Sequence, residues 1–111
     1  MMDAKQIALE KIRKTVTENP IVLYMKGTPQ FPQCGFSGRA VQVLKRCGVE
    51  HYVAVNVLAD AEAYEYLKFY ADFPTFPQCY IGGELIGGSD IMLSMAEQGE
   101  LQKLIEAALR R

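Results

Sequence analysis

The sequence has little of several features that mark particular classes of protein. Among 111 residues there is no tryptophan, one histidine, three cysteines and five prolines, and the net charge at pH 7 is −1. The small net charge excludes the basic face that nucleic acid or an anionic membrane surface would need. Half of the residues are apolar, which excludes a disordered chain, and three cysteines are too few for a small disulfide scaffold. We therefore expect a folded protein whose primary partner is neither nucleic acid nor a membrane.

The sequence also has no long hydrophobic run near its start. The longest one there, Ile21–Met25, is too short for a membrane span or the core of a signal peptide. The three cysteines, Cys34, Cys47 and Cys79, cannot all pair with one another, and their spacing fits no zinc site. We expect reduced thiols in a cytoplasmic protein, with residues 1–111 forming one domain.

Hydrophobic periodicity divides the chain into alternating helices and strands. It predicts helices at 3–19, 34–47 and 60–70 and a helical region after residue 87 that Gly99 divides, with strands at 21–25, 52–57, 79–81 and 84–86. The first two strands and the helix between them form a βαβ unit, and a Gly-Gly turn joins the last two strands in an antiparallel hairpin. The expected architecture is α/β: a thioredoxin-like fold whose four-stranded mixed sheet is flanked by helices.

Helical spacing also predicts which apolar residues pack against the sheet. In the first helix Ile7, Ile12 and Val16 fall on one face. Four aromatic residues recur at helical spacing in and after the third helix, which indicates a packing face rather than a ligand platform. These residues are Tyr66, Phe69, Tyr70 and Phe73.

Cys34 is the residue best suited to chemistry. It opens a predicted helix directly after a strand and a loop, and a helix N-terminus stabilises a thiolate. Lys26, at the end of the preceding strand, adds a positive charge, so we expect a lowered thiol pKa. Three residues after Cys34, where a dithiol oxidoreductase has its resolving cysteine, stands Ser37, whose hydroxyl cannot attack a mixed disulfide. On position alone, an ordinary cysteine at a helix start is the alternative.

The other cysteines and the histidine indicate structural roles. Cys47 lies on the apolar face of the same predicted helix, more than three turns beyond Cys34, and is expected in the core. Cys79 begins a strand and is also expected to pack inside. His51 has no histidine or cysteine close to it in sequence and is expected at the surface.

At these residues the sequence resembles the monothiol glutaredoxin family. The active-site motif of that family is matched by Cys34-Gly35-Phe36-Ser37, eight residues after Lys26. Segments 24–29, 74–78 and 83–91 are similar to further family segments and follow in the right order. The resemblance extends from about the first helix to the last and implies a single glutaredoxin domain over residues 1–111.

The resemblance implies a cofactor and an assembly. Members of this family hold a [2Fe–2S] cluster at a dimer interface, with one protein cysteine and one glutathione thiolate from each half, which gives the four thiolates that such a cluster needs. By resemblance, Cys34 is the catalytic thiol and the sole protein ligand to the metal. The implied partners are glutathione, a second copy of the chain when the cluster is bound, a BolA-like protein and apo iron–sulfur proteins.

The resemblance also implies a glutathione groove. Lys26 would pair with the glycine carboxylate of glutathione, and the backbone of Phe76, before a Pro77 expected to be cis, would bind the cysteinyl unit. Ser89 and Asp90, at a helix start, would bind the carboxylate and the ammonium of the γ-glutamyl unit. Without the resemblance, ordinary helix capping is the preferred interpretation of Ser89 and Asp90. The full set of matching positions is Lys26, Gly35, Phe36, Thr75, Phe76, Pro77, Ser89 and Asp90.

Three positions depart from the family pattern. Tyr64 stands where many members have an arginine for the glycine carboxylate, and Lys68, one turn later, is the candidate to replace it. Ser89 stands where numerous members have a second cysteine, so a disulfide between that position and Cys34 is excluded. Phe73 replaces the usual tryptophan and keeps an aromatic surface.

Three functions remain open from the sequence. The first is an iron–sulfur cluster carrier that depends on glutathione. The second is a glutathione-dependent thiol transferase, in which Cys34 alone removes glutathione from protein mixed disulfides. The third is a redox-silent adaptor, which an ordinary pKa for the Cys34 thiol would favour.

Overall fold

Helices and strands alternate along the chain in the predicted order in the computed structural model, which describes residues 1–111. The ends of the four strands and the first three helices lie within one residue of the predicted ends. None of the helices combines the length and the hydropathy needed to cross a membrane. The elements are α1 (Ala4–Glu18), β1 (Ile21–Met25), α2 (Gly35–Arg46), β2 (Val53–Asn56), α3 (Ala61–Tyr70), β3 (Gln78–Ile81), β4 (Glu84–Gly87), α4 (Ser89–Glu97) and α5 (Glu100–Leu109).

Short-range signals account for several helix ends. The Asp3 carboxylate accepts the Gln6 N–H at 2.8 Å and the Gln6 side chain accepts the Asp3 N–H at 2.9 Å, which forms a capping box at the start of α1. Asp60 caps α3 by accepting the Ala63 N–H at 3.1 Å. Gly99 has a φ of 79° and separates α4 from α5, as predicted.

The sheet has the strand order β2-β1-β3-β4. Strand β1 is parallel to β2 and antiparallel to β3, and β3 is antiparallel to β4. The βαβ unit therefore supplies one edge of the sheet and the hairpin supplies the other. This is the predicted thioredoxin-like fold.

Both faces of the sheet are covered by helices, and β1 is buried on both sides. Its alternate residues Ile21, Leu23 and Met25 pack with α2, α4 and α5. Val22 and Tyr24 point the other way and pack with α1 and α3. The continuous apolar run of β1 is explained by this position in the sheet.

Two of the packing predictions for residues within the helices are wrong. Ile7 is 51% exposed, because the buried stripe of α1 runs through Ile12 and Val16 and Ile7 lies off that line. Phe69 is 52% exposed, and the ammonium of Lys5 lies 4.3 Å from its ring centroid in a cation–π contact on the surface. Helical spacing identifies a face, and the neighbouring elements decide how wide the buried part of it is.

Candidate functional site

The loop after β1 returns Cys34 to the end of that strand. The Gln33 N–H donates to the Lys26 carbonyl at 2.9 Å, which closes the loop beside Cys34. Gly27 has a φ of +92°, and a Cβ there would lie 2.5 Å from the Phe31 carbonyl oxygen. Only glycine fits this turn, and through it Cys34 is positioned next to Lys26.

The thiol of Cys34 is activated, as the sequence predicted. Cys34 is the N-cap residue of α2 and is partly exposed. The backbone N–H of Ser37 is the largest cause that lowers the pKa of this thiol. Burial opposes it, and the N–H of Phe36, the charge of Lys26 and the Ser37 hydroxyl add to the lowering. The thiol makes no capping hydrogen bond, but these groups favour the charged thiolate. This lowered pKa counts against the redox-silent adaptor, which an ordinary pKa of the Cys34 thiol would have favoured.

The surroundings of the other two thiols favour the neutral, protonated form instead. Cys79 is fully buried in β3, and burial raises the pKa of its thiol to about 12. Cys47 is the C-cap residue of α2, and burial raises the pKa of its thiol as well. His51 is exposed, as predicted. Cys34 is therefore the one cysteine whose environment favours reaction.

A groove of about 850 Å³ opens beside Cys34. Of the predicted site residues, all but Gly35 line it, and a Cβ added at Gly35 would meet no other atom within 4 Å. The groove is also lined by residues that sequence reasoning gave other roles or did not single out, among them Gly88 and Ile91. The predicted residues that line it are Lys26, Cys34, Phe36, Thr75, Phe76, Pro77, Ser89 and Asp90.

One wall of the groove is the segment that leads into β3. The Phe76–Pro77 peptide bond is cis, as the resemblance implied. The buried side chain of Gln78 donates to the Phe73 carbonyl at 2.7 Å and to the Thr75 carbonyl at 3.2 Å, and it accepts the Tyr80 hydroxyl at 2.9 Å. Sequence reasoning missed Gln78. The one signal in the sequence is a polar amide between Pro77 and the apolar residues of β3, because a polar side chain that is buried there needs hydrogen-bond partners.

The end of the groove near α3 is aromatic and carries a cation. The ring of Tyr64 packs on the ring of Phe76 with centroids 5.6 Å apart. Lys68 lines the same end, one turn further along α3. Phe73, predicted to pack in the aromatic face of α3, lies in the groove wall instead. Tyr64 therefore supplies a surface where an arginine would supply a charge.

The start of α4 forms another part of the groove lining. Ser89 is buried and Asp90 is exposed, and both line the groove. The carboxylate of Asp90 accepts a hydrogen bond at 2.9 Å from the guanidinium of Arg39 in α2. Arg39 was not among the predicted site residues because it is 51 positions from Asp90 in sequence.

The donor set of one chain is too small to hold a metal alone. No group of three or more His, Cys, Asp and Glu side chains is arranged as a metal site. Any iron at Cys34 would need three ligands from outside this chain.

Known proteins are similar to this chain in both sequence and structure. A family model described as glutaredoxin matches residues 21–86. Glutaredoxin 4 of Escherichia coli (strain K12) is 50% identical over 98 residues, which are 88% of this chain and 84% of that protein. The solution structure of reduced poplar apo GrxS14 has a TM-score of 0.82 and 44% identity, and the match covers 98% of this chain and 100% of that one.

The chain belongs to the glutaredoxin family. Within that family it is a monothiol member, since Ser37 stands where a second active-site cysteine would be. A relative in Legionella pneumophila named "Probable monothiol glutaredoxin GrlA" is 52% identical over 88 residues, which are 79% of this chain and 98% of that protein.

Proposed function

We propose that this protein binds glutathione and carries a [2Fe–2S] cluster between two copies of the chain, for transfer to apo iron–sulfur proteins or to a BolA-like partner. The observation that carries the proposal is the contrast among the thiols. Cys34 is partly exposed with a lowered pKa, whereas the pKa values of Cys47 and Cys79 are raised by burial. One chain therefore offers one thiolate, and two chains with two glutathiones make up the four ligands that the cluster requires.

The groove supports the glutathione part of this proposal. Cations stand at Lys26 and Lys68, which suits the carboxylate of the glycine end. The backbone of Phe76 would pair with the central cysteinyl unit and bring its sulfur toward Cys34. At the other end, Asp90 and the start of α4 suit the ammonium and carboxylate of the γ-glutamyl unit.

The surface beside the thiol supports the dimer. Phe31 and Phe36 flank Cys34 on either side in sequence and are 74% and 53% exposed. Exposed aromatic side chains at a reactive centre are typical of a surface that a partner covers. A second copy joined through a cluster at Cys34 would shield these rings from water.

Anaerobic reconstitution with iron, sulfide and glutathione tests the proposal, with absorption spectroscopy and size-exclusion chromatography as readouts. We expect a cluster chromophore that elutes with a dimer and requires both glutathione and Cys34. The variant Cys34→Ser should stay colourless and monomeric, whereas the matched control Cys47→Ser should load normally. A full complement of cluster on Cys34→Ser protein would refute the proposal.

A second candidate function uses the same thiolate as a nucleophile. The Cys34 thiolate would attack the glutathione sulfur of a protein mixed disulfide, forming Cys34–S–S–glutathione and releasing the protein thiolate. A second glutathione thiolate would then attack that disulfide, giving glutathione disulfide and restoring Cys34. The lowered pKa of Cys34 favours this route, and Ser37 limits it to one protein thiol.

Steady-state turnover of a glutathionylated peptide separates the two functions. A second-order rate well above that of free glutathione would support the transferase, and loss of that rate in Cys34→Ser with retention in Cys47→Ser would assign the nucleophile. Negligible turnover together with a stable cluster would leave the carrier function alone.

We propose further that residues 1–111 act as one glutaredoxin domain in the cytoplasm. Both functions need a free thiolate and reduced glutathione, which a reducing compartment supplies. Proteolysis of the folded chain that released a separately stable fragment would contradict the single domain.

A further inference from the structure

We propose that Arg39 belongs to the site that receives the γ-glutamyl end of glutathione, where its guanidinium binds the α-carboxylate while Asp90 binds the α-ammonium. This inference rests on the proposed binding of glutathione and assigns a specificity residue to it. Arg39 lies outside the segments that resemble the family's glutathione-binding residues.

Two different helices bring the pair together beside the groove, which Asp90 lines and Arg39 does not. Arg39 extends from α2, and its Nη1 donates to Oδ1 of Asp90, at the start of α4, at 2.9 Å. The Arg39 guanidinium also lies 5.9 Å from the ring centroid of Phe36, which lines the groove beside Cys34. A positive and a negative group therefore stand side by side where Asp90 and Phe36 line the groove.

Both groups have bonding capacity left over. A guanidinium has five N–H donors, and only one of those of Arg39 has a protein acceptor. Asp90 makes no other side-chain hydrogen bond, and the side chains of Arg39 and Asp90 are 50% and 79% exposed. A ligand can bind to each of them without breaking the bond between them.

The γ-glutamyl unit has the matching pattern of charges. Its α-carbon carries an ammonium and a carboxylate next to each other, so a neighbouring aspartate and arginine are complementary to both. Gly88 is the N-cap residue of α4 and provides no side-chain cap, so the first backbone N–H groups of the helix can join Arg39 in binding the carboxylate. A lone aspartate would select only the ammonium, and the pair selects the complete amino-acid head.

A role for Arg39 as a competitor of the ligand for Asp90 predicts the opposite effect of its removal on glutathione affinity. If Arg39 only occupied Asp90 in the free protein, it would compete with the ligand's ammonium, and its removal would strengthen binding. If it binds the α-carboxylate, its removal weakens binding, and the loss is confined to ligands that carry that carboxylate.

The test is calorimetric titration of the parent and Arg39→Gln with three reduced ligands: glutathione, 4-aminobutanoyl-cysteinylglycine, which lacks the α-carboxylate, and glutaryl-cysteinylglycine, which lacks the α-amino group. We expect Arg39→Gln to bind glutathione about two- to fivefold more weakly, as for an exposed ion pair. Its affinity for the ligand without the α-carboxylate should equal that of the parent. Its preference for glutathione over the ligand without the amino group should persist, because Asp90 remains.

Two further variants complete the experiment. Arg39→Lys keeps the charge without the fork of donors and should lose less affinity than Arg39→Gln. Arg13→Gln removes another exposed arginine, paired with Glu10 on α1, and should leave all three affinities unchanged. Unchanged or tighter binding of glutathione by Arg39→Gln, while the parent binds it normally, would overturn the role of Arg39 alone. Failure of the parent to bind glutathione would overturn the proposed function together with it.

Discussion

The hydroxyl of Ser37 accepts a hydrogen bond from the backbone N–H of Lys26 at 3.0 Å. Ser37 is fully buried in α2, so the residue three positions after Cys34 faces the end of β1 instead of the groove. This bond ties the helix that carries the reactive thiol to the strand that carries Lys26. The residue that makes the protein monothiol is thus also part of the structure that holds the site together.

Ser37→Ala is expected to destabilise the protein. The Lys26 N–H would lose its acceptor in a partly buried position, at a cost of about 1–2 kcal/mol in the free energy of unfolding. The pKa of the Cys34 thiol should rise as well, because the Ser37 hydroxyl contributes to lowering it. Urea denaturation and the pH dependence of Cys34 alkylation measure the two effects. Ser94→Ala, at an exposed serine of α4, is the matched control, and equal stability of the two variants would contradict the role of the bond.

Gln78→Leu is expected to loosen the groove wall. The substitution keeps the approximate volume but leaves the Tyr80 hydroxyl and the carbonyls of Phe73 and Thr75 without their partner, at a cost of about 2–4 kcal/mol. Tyr80→Phe in the same background removes the orphaned hydroxyl. The double variant should therefore lose less stability than the sum of the two single variants, by about 1 kcal/mol or more. Additive losses would show that Tyr80 and Gln78 act independently.

Alkaline pH is expected to destabilise the protein through Cys79. The pKa of the buried thiol is about 12, whereas an unfolded cysteine titrates near pH ~8.5, so above pH ~8.5 the folded state holds a proton that the unfolded state has lost. This contribution to stability is complete below that unfolded pKa and is lost as pH rises toward 12. Between pH ~8.5 and ~10 the loss is about 2 kcal/mol, at about 1.4 kcal/mol for each pH unit.

Cys79→Ala isolates this effect. The variant loses core packing by an amount that does not depend on pH, so its unfolding free energy should fall less steeply than that of the parent over the same range. Denaturant unfolding at several pH values measures both slopes. Parallel pH profiles for the parent and Cys79→Ala would mean that another group causes the alkaline loss.

Lys68→Gln is expected to weaken glutathione binding. Lys68 lines the end of the groove where Tyr64 stands in place of an arginine, so its ammonium is the candidate partner for the glycine carboxylate together with Lys26. We expect about a two- to fivefold loss of affinity at low salt, and a smaller one at high salt. Lys103→Gln, at an exposed position of α5, controls for net charge. Identical affinities of Lys68→Gln and the parent would leave Lys26 to bind that carboxylate without Lys68.

The features predicted correctly from the sequence depend on residues that are close together in the chain. Asp3 and Gln6 form the expected capping box, and Gly99 ends α4 as expected. Cys34 lies at the start of a helix, where the N–H groups that lower its pKa belong to the next three residues. Local hydrogen bonding and backbone sterics decide all of these features, so the neighbouring sequence is sufficient to predict them.

The features that were missed depend on the packing of separate segments of the chain. Arg39 reaches Asp90 only because α2 and α4 pack together, and the two residues are 51 positions apart. The bonds of Gln78 are short in sequence, but they form only because its amide is buried behind the groove wall. The surface position of Phe69 likewise involves α1, because Lys5 of that helix lies over its ring. Periodicity carries no information on such contacts, since it describes one element at a time.

The sequence by itself determined the chemistry available to this protein: one thiol at a helix start, with Ser37 three residues on and no second cysteine there to resolve a mixed disulfide. Only the tertiary structure decided how far burial in β3 raises the pKa of Cys79, and that a groove opens beside Cys34. The type of side chain at each position is fixed by the chain. Its solvation and the charges around it depend on which distant segments pack against it, and those decide which groups react.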